Sequence, residues 1–144
     1  MGRVLVAVFA FAIALAGCGG DDEPSRFQEG YDAAVTRLSE VQAEISEGEN
    51  QSNREIAADF RRTADVWERT RADLAGLDPP EDARAEFREL LDALEGGVAD
   101  LRAAARAARS NDPEAFEEAR DALSESSEAI SDADAALKDA VQEG

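Results

Sequence analysis

Residues 87–105 read FRELLDALEGGVADLRAAA. Apolar and small residues recur in alternating steps of three and four, at Phe87, Leu90, Leu94, Gly97, Leu101 and Ala104. This spacing places them along one side of an α-helix and leaves the charged residues on the other side. The stretch therefore predicts an amphipathic helix that buries one face.

Three other segments repeat this pattern. Turn signals at 48–53, 76–80 and 110–113 divide the chain into predicted helices over 25–48, 52–76, 79–110 and 112–142. The apolar seams outside the quoted stretch are Phe27, Tyr31, Ala34, Leu38, Val41 and Ile45; Ile56, Phe60, Thr63, Trp67, Thr70 and Leu74; and Phe116, Ala119, Leu123, Ser126, Ile130, Ala133 and Leu137. Short links between long helices predict an all-α, antiparallel up-down-up-down four-helix bundle. Two helical hairpins that dimerise into a bundle are the alternative, because heptads permit both.

Cap signals stand before each predicted helix. They are capping-box pairs at Ser25 with Gln28 and at Ser52 with Glu55, and an acid followed by proline at Asp78-Pro79 and Asp112-Pro113. Gly48 and Gly76 are suited to helix ends.

Gly96-Gly97 is the one local contradiction to a helix. Two glycines cost about 2 kcal/mol relative to alanine in a helix interior. Counting from the preceding turn, Gly97 should face the level of Phe60, where a small residue accommodates a large ring or the helix kinks. Trp67 lies on the same seam as Phe60 and is expected in the core. A ligand niche between the helices, formed by Phe60, Trp67, Gly96 and Gly97, is the alternative.

The first seventeen residues have the composition of a secretory signal. Arg3 is the only charged residue before Asp21, and residues 4–17 are uniformly small or apolar. This run of fourteen residues is shorter than the roughly 20 that a membrane-spanning helix needs. We therefore expect a cleaved signal peptide over 1–17 rather than a transmembrane anchor.

Leu15-Ala16-Gly17-Cys18 resembles the bacterial lipobox. The resemblance implies that the Cys18 thiol is diacylglycerylated and that the signal is cut just before it. The mature chain then comprises a lipidated flexible tether over 18–24 and a bundle over 25–144, held on the extracytoplasmic face of a membrane. Together with its Ala-, Asp-, Glu- and Arg-rich composition, the chain resembles the small helical lipoproteins of actinobacteria.

The charge is strongly negative and unevenly distributed. The formal net charge is −18, and residues 112–144 carry eleven acids against Arg120 and Lys138, a net −9. Nucleic-acid binding is not expected, because phosphate contacts need a basic footprint. A basic envelope protein or peptide is a plausible partner for the acidic segment, and a merely solvated face is the alternative.

Three arginines interrupt this acidic pattern near the end of the third predicted helix. Arg102, Arg106 and Arg109 share one side of that helix by their spacing. They are consistent either with an anion site or with charges that complement the negative end of the helix dipole.

The inventory of reactive side chains is small. The chain has no histidine, its one methionine is Met1 of the expected signal peptide, and its one cysteine is the expected acylation site, so haem would have only Tyr31 as a familiar axial ligand. We expect no metal, no cofactor and no catalysis, although a paired-carboxylate hydrolase stays formally open. The sequence thus predicts a membrane-anchored, non-catalytic bundle that acts as a binding or spacer module. The alternative is a small-ligand carrier or sensor that binds near Trp67 and Gly96-Gly97.

Overall fold

The computed structural model describes residues 26–45 and 51–143. This part of the chain forms four α-helices, which we number α1 Arg26–Ile45, α2 Asn53–Ala75, α3 Arg84–Ser110 and α4 Pro113–Glu143. A single 3₁₀ turn, Glu81–Ala83, precedes α3. The predicted all-α fold with four helices is therefore confirmed.

Several predictions concern residues that the structure does not describe. The signal peptide, Cys18, the tether over 18–24, the Ser25 cap and the helix end at Gly48 all lie outside the described ranges.

Pairs of contacting residues give the relative directions of the helices. Along α2 the partners run Glu68 to Arg102 and Arg71 to Glu95, so α2 and α3 are antiparallel. At the amino-terminal end of the bundle, where α1 begins, the Phe27 ring lies edge-on to the Phe87 ring, with centroids 5.4 Å apart. At the opposite end, here called the Asn end, the Asn53 amide donates to the Asn111 side-chain oxygen.

Within the described residues, buried apolar side chains form two clusters. The larger one contains buried residues from all four helices: Phe27, Tyr31, Ala34, Val35, Leu74, Phe87, Leu90, Leu94, Ile130, Ala133 and Leu137, together with Ala83. The smaller one, toward the Asn end, is formed by α2, α3 and α4 around Ala64, Val98 and Leu101. Because one chain brings all four helices into the larger cluster, a bundle forms within the chain as the seams predict.

Two of the predicted caps are present. Ser52 and Glu55 form a complete capping box, and the Asp112 carboxylate accepts from the Ala115 N–H at 3.1 Å. The hydrogen bonds that Ser52 donates lower the pKa of the Glu55 carboxyl below its usual value. At the end of α3, Asn111 adopts the left-handed conformation with φ 55°, a role that asparagine fills when glycine is absent.

The predicted start of α3 at Pro79 is wrong. The helix begins five residues later, at Arg84, and Asp78 instead lies 3.7 Å from the Arg84 guanidinium. Pro79 is followed by Pro80, whose backbone is extended with ψ 149°. The ring of Pro80 disfavours the helical region for the residue before it, which accounts for a helix that begins after this pair of prolines.

Gly96 and Gly97 lie within an unbroken α3. A Cβ added at Gly97 would lie 2.7 Å from Cζ3 of Trp67 and 3.2 Å from Cδ1 of Ile130, so the indole fills the space beside this glycine. The expectation that Gly97 faces the level of Phe60 is wrong, because Trp67 occupies that level. Gly96 is exposed, and an added Cβ would lie 3.8 Å from the Ser126 hydroxyl.

The two adjacent glycines predict opposite effects of alanine. Gly97→Ala forces the indole or Ile130 to move, and overpacking of this kind costs about 1–3 kcal/mol. Gly96→Ala meets no close neighbour and should gain up to about 1 kcal/mol from helix propensity. Urea unfolding of the two single variants should therefore move the midpoint in opposite directions. A stabilising Gly97→Ala would contradict the packing of Trp67 against this position.

Candidate functional site

A groove lined by arginines lies between α2 and α3, in the half of the bundle toward the Asn end. Its volume is about 230 Å³, and its lining consists of Arg61, Asp65, Arg102, Ala105, Arg106 and Arg109. Four arginines and one aspartate give this lining a formal charge of +3 in a chain whose net charge is −18. We call this feature the arginine groove.

The helical spacing explains how α3 supplies three of these arginines. Arg102, Arg106 and Arg109 are four and three residues apart and so share one face of α3, over about 10 Å of its axis. Ala105 lies on the groove between them and is buried, and its small side chain leaves the groove open. Arg61 enters from α2 on the opposite side.

The four arginines differ in their partners. Arg102 pairs with Glu68 of α2 at 2.7 Å. Arg61, Arg106 and Arg109 make no ion pair within the described residues. The groove therefore presents three guanidinium groups without an ion pair among the described residues, and the lining contains a single carboxylate, that of Asp65.

Sequence spacing identified only part of this groove. It grouped Arg102, Arg106 and Arg109 on one side of α3, and the structure places all three in the groove lining. It missed Arg61 and Asp65. Only the register between α2 and α3 brings those two residues to the groove.

The residues of the predicted ligand niche are only partly brought together. Phe60 and Trp67 both pack against Ala64, Val98 and Leu101. Trp67 also lies beside Gly97, whereas Gly96 is exposed toward α4.

The space beside Gly97 is thus occupied by the Trp67 indole. The indole N–H is buried without a hydrogen-bond partner. Phe60 lies edge-on to Phe116 of α4, with ring centroids 6.0 Å apart. The niche hypothesis stays a prediction.

Tyr31 and Asp134 form a buried polar contact between α1 and α4. The Tyr31 hydroxyl donates to Oδ1 of Asp134, and Lys138 Nζ donates to Oδ2 of the same carboxylate at 2.7 Å. Both Tyr31 and Asp134 are less than a tenth exposed. Burial, followed by the hydrogen bond and charge of Asp134, raises the pKa of Tyr31 above its usual value.

Among the acids of α4 whose exposure the structure describes, all but one are distributed as an amphipathic helix requires. Eight of them are exposed: Glu114, Glu117, Glu118, Asp121, Glu125, Glu128, Asp132 and Asp139. Asp134 is the exception, and its burial was not expected from the sequence. The exposed row is available to solvent or to a partner.

Two other kinds of site are absent from the part of the chain that the structure describes. In residues 26–45 and 51–143 there is no group of three or more side chains suited to hold a metal ion. Within the same ranges, none of the helices has the length and apolarity needed to cross a bilayer.

Comparisons with known proteins give no match. No family model matches the chain, and neither the curated proteins nor the solved structures contain a significant match to it.

The Tyr31 contact predicts a specific loss of stability at alkaline pH. Because the folded protein holds the Tyr31 proton more tightly than the unfolded chain, this contribution is complete below about pH 10 and falls as the pH rises beyond it. Tyr31→Phe should lose about 1–3 kcal/mol at neutral pH, since the buried Asp134 loses a donor. The free energy of unfolding of Tyr31→Phe should also lack the part of the alkaline decrease that comes from ionisation of Tyr31.

Tyr31 is the only tyrosine in the chain, so its ionisation can be followed alone by near-ultraviolet difference absorbance. Urea unfolding of both proteins over the same pH series measures the linked stability. A tyrosine that ionised at its ordinary pKa in the folded protein would contradict the buried contact with Asp134.

Proposed function

We propose that the protein is a lipid-anchored extracytoplasmic module whose helical bundle binds or spaces another component of the bacterial envelope without catalysing a reaction. The observation that carries this proposal is Leu15-Ala16-Gly17-Cys18, placed at the end of a fourteen-residue apolar run that follows Arg3. Two acyl chains on one cysteine are enough for stable membrane attachment.

The position of this cysteine relative to the bundle supports the same proposal. Cys18 precedes Arg26, the first residue of α1, by only eight positions. An anchor there would hold the amino-terminal end of the bundle close to the bilayer. Since α3 has 27 residues and is about 40 Å long, the Asn end would project well away from the membrane.

The exposed acids of α4 support a basic protein or peptide as the partner. They follow the helix along most of its length and attract positive charge over several ångströms of solvent. A projecting acidic helix on an anchored bundle is suited to such an encounter.

Replacement of the anchor residue gives the direct test of attachment. Cys18→Ser removes the acceptor thiol, so we expect loss of acyl labelling and accumulation of the uncut precursor. Metabolic labelling with a fatty-acid analogue, with size measured on gels, checks both. Ser25→Ala is a matched control outside the lipobox and should label normally. Acyl labelling that persisted in Cys18→Ser would refute the anchor.

The acidic partner surface has a separate test. Glu117, Asp121, Glu125 and Glu128 are all exposed on α4, and conversion of the four to amides removes four negative charges without changing shape. We expect a basic partner captured by crosslinking on intact cells to be lost from this variant. A variant with Glu29, Glu40, Glu89 and Asp92 converted to amides has the same charge change elsewhere and should retain the partner. An identical set of partners in both variants would exclude the acidic face of α4 as the binding surface.

A further inference from the structure

We infer that the arginine groove binds an anionic ligand with several neighbouring phosphate groups. This site goes beyond the proposed anchor and spacer role, and it is distinct from the acidic face of α4. Its elements are the three arginines of α3, Arg61 of α2 and the open space between them.

Arginines outnumber carboxylates four to one in the lining of the groove. The chain has 33 acidic residues, more than enough to pair every arginine. Even so, Arg61, Arg106 and Arg109 face one groove with no ion pair among the described residues. Like charges held together repel each other, and an anion in the groove would remove that repulsion.

The helix dipole does not account for this arrangement. The dipole favours cations in the last turn of a helix and its effect fades beyond that turn. Of these residues, only Arg109 belongs to the last turn of α3, which ends at Ser110. Arg102 lies two turns earlier, and Arg61 belongs to another helix.

The shape of the groove indicates the kind of anion. The backbone positions of the α3 arginines are spread over about 10 Å of the helix axis, so an extended ligand with several anionic groups can meet them in succession along the groove. Guanidinium groups bind phosphate oxygens through paired, charge-assisted hydrogen bonds. A ligand with several phosphates in a row therefore fits this groove better than a ligand with a single charge.

Replacement of Asp65 should change the affinity for an anion in the opposite direction from replacement of an arginine. It is the one acid in the groove lining and lies one turn after Arg61 on α2. Its carboxylate repels an anion in the groove, so its removal should strengthen binding while removal of an arginine weakens it.

The test uses the full chain purified in detergent, with inorganic triphosphate as the probe and titration calorimetry at low salt as the measurement. Arg106→Gln should weaken binding about tenfold, because a charge-assisted contact is lost. Arg106→Lys keeps the charge but loses the paired donors, so its affinity for triphosphate should lie between those of the parent protein and Arg106→Gln. Arg88→Gln, an exposed position of α3 outside the groove, has the same charge change and should bind like the parent protein.

The acidic variants complete the comparison. Asp65→Asn should bind triphosphate more tightly than the parent, whereas Asp92→Asn on the exposed face of α3 should change the affinity less than twofold. Circular dichroism of every variant establishes that the helices are intact. The second probe is glycerophosphoglycerol, the deacylated headgroup of a common anionic lipid, which we expect to bind far more weakly because it carries one phosphate.

Three results would overturn the proposal. The first is no binding of triphosphate at millimolar concentration. The second is an equal loss of affinity in Arg106→Gln and Arg88→Gln, which would mean that binding depends on the net charge of the protein and not on the groove. The third is a preference for the lipid headgroup over triphosphate. None of these results bears on Cys18 labelling, so failure here is distinguishable from failure of the anchor.

Discussion

The packing of the Trp67 indole against Gly97 is the contact on which the relation between α2 and α3 depends. With a side chain at position 97 the two helices could not approach so closely, since its first carbon would lie 2.7 Å from the ring. This contact fixes the register that brings Glu68 to Arg102 and Arg71 to Glu95. Two turns farther along, the same register places Arg61 opposite the arginines of α3. The groove is thus a consequence of the way the large Trp67 side chain packs against Gly97, which has no side chain.

The fold was predictable because its information is local. Each seam repeats at helical spacing, and most of the predicted seam residues, from Phe27 to Leu137, are buried or partly buried. Capping at Ser52 and Asp112 was predictable for the same reason, since a cap acts within one turn. The start of α3 was missed although its signal is also local, because the prediction weighed Pro79 alone and not the effect of Pro80 on it.

Only the part of the arginine groove that lies on a single helix was predictable from the sequence. The row of arginines on α3 follows from their spacing, whereas Arg61 depends on the register between two helices. That register was predicted two turns in error, with Phe60 rather than Trp67 opposite Gly97. The burial of Asp134 was missed for a related reason: only packing against α1 supplies the Tyr31 hydroxyl that makes it tolerable to bury a carboxylate there.

The location of the arginine groove within an acidic chain limits how it can select a ligand. The net charge of −18 repels anions at long range, so the protein field does not steer them to the groove. At physiological ionic strength, charges more than about 8 Å apart are largely screened, while direct guanidinium contacts are screened much less. Selection therefore rests on contacts made inside the groove, where several phosphates can each meet an arginine. A single weak anion gains too little from one such contact, and this is why the long row on α3, rather than total charge, defines the ligand.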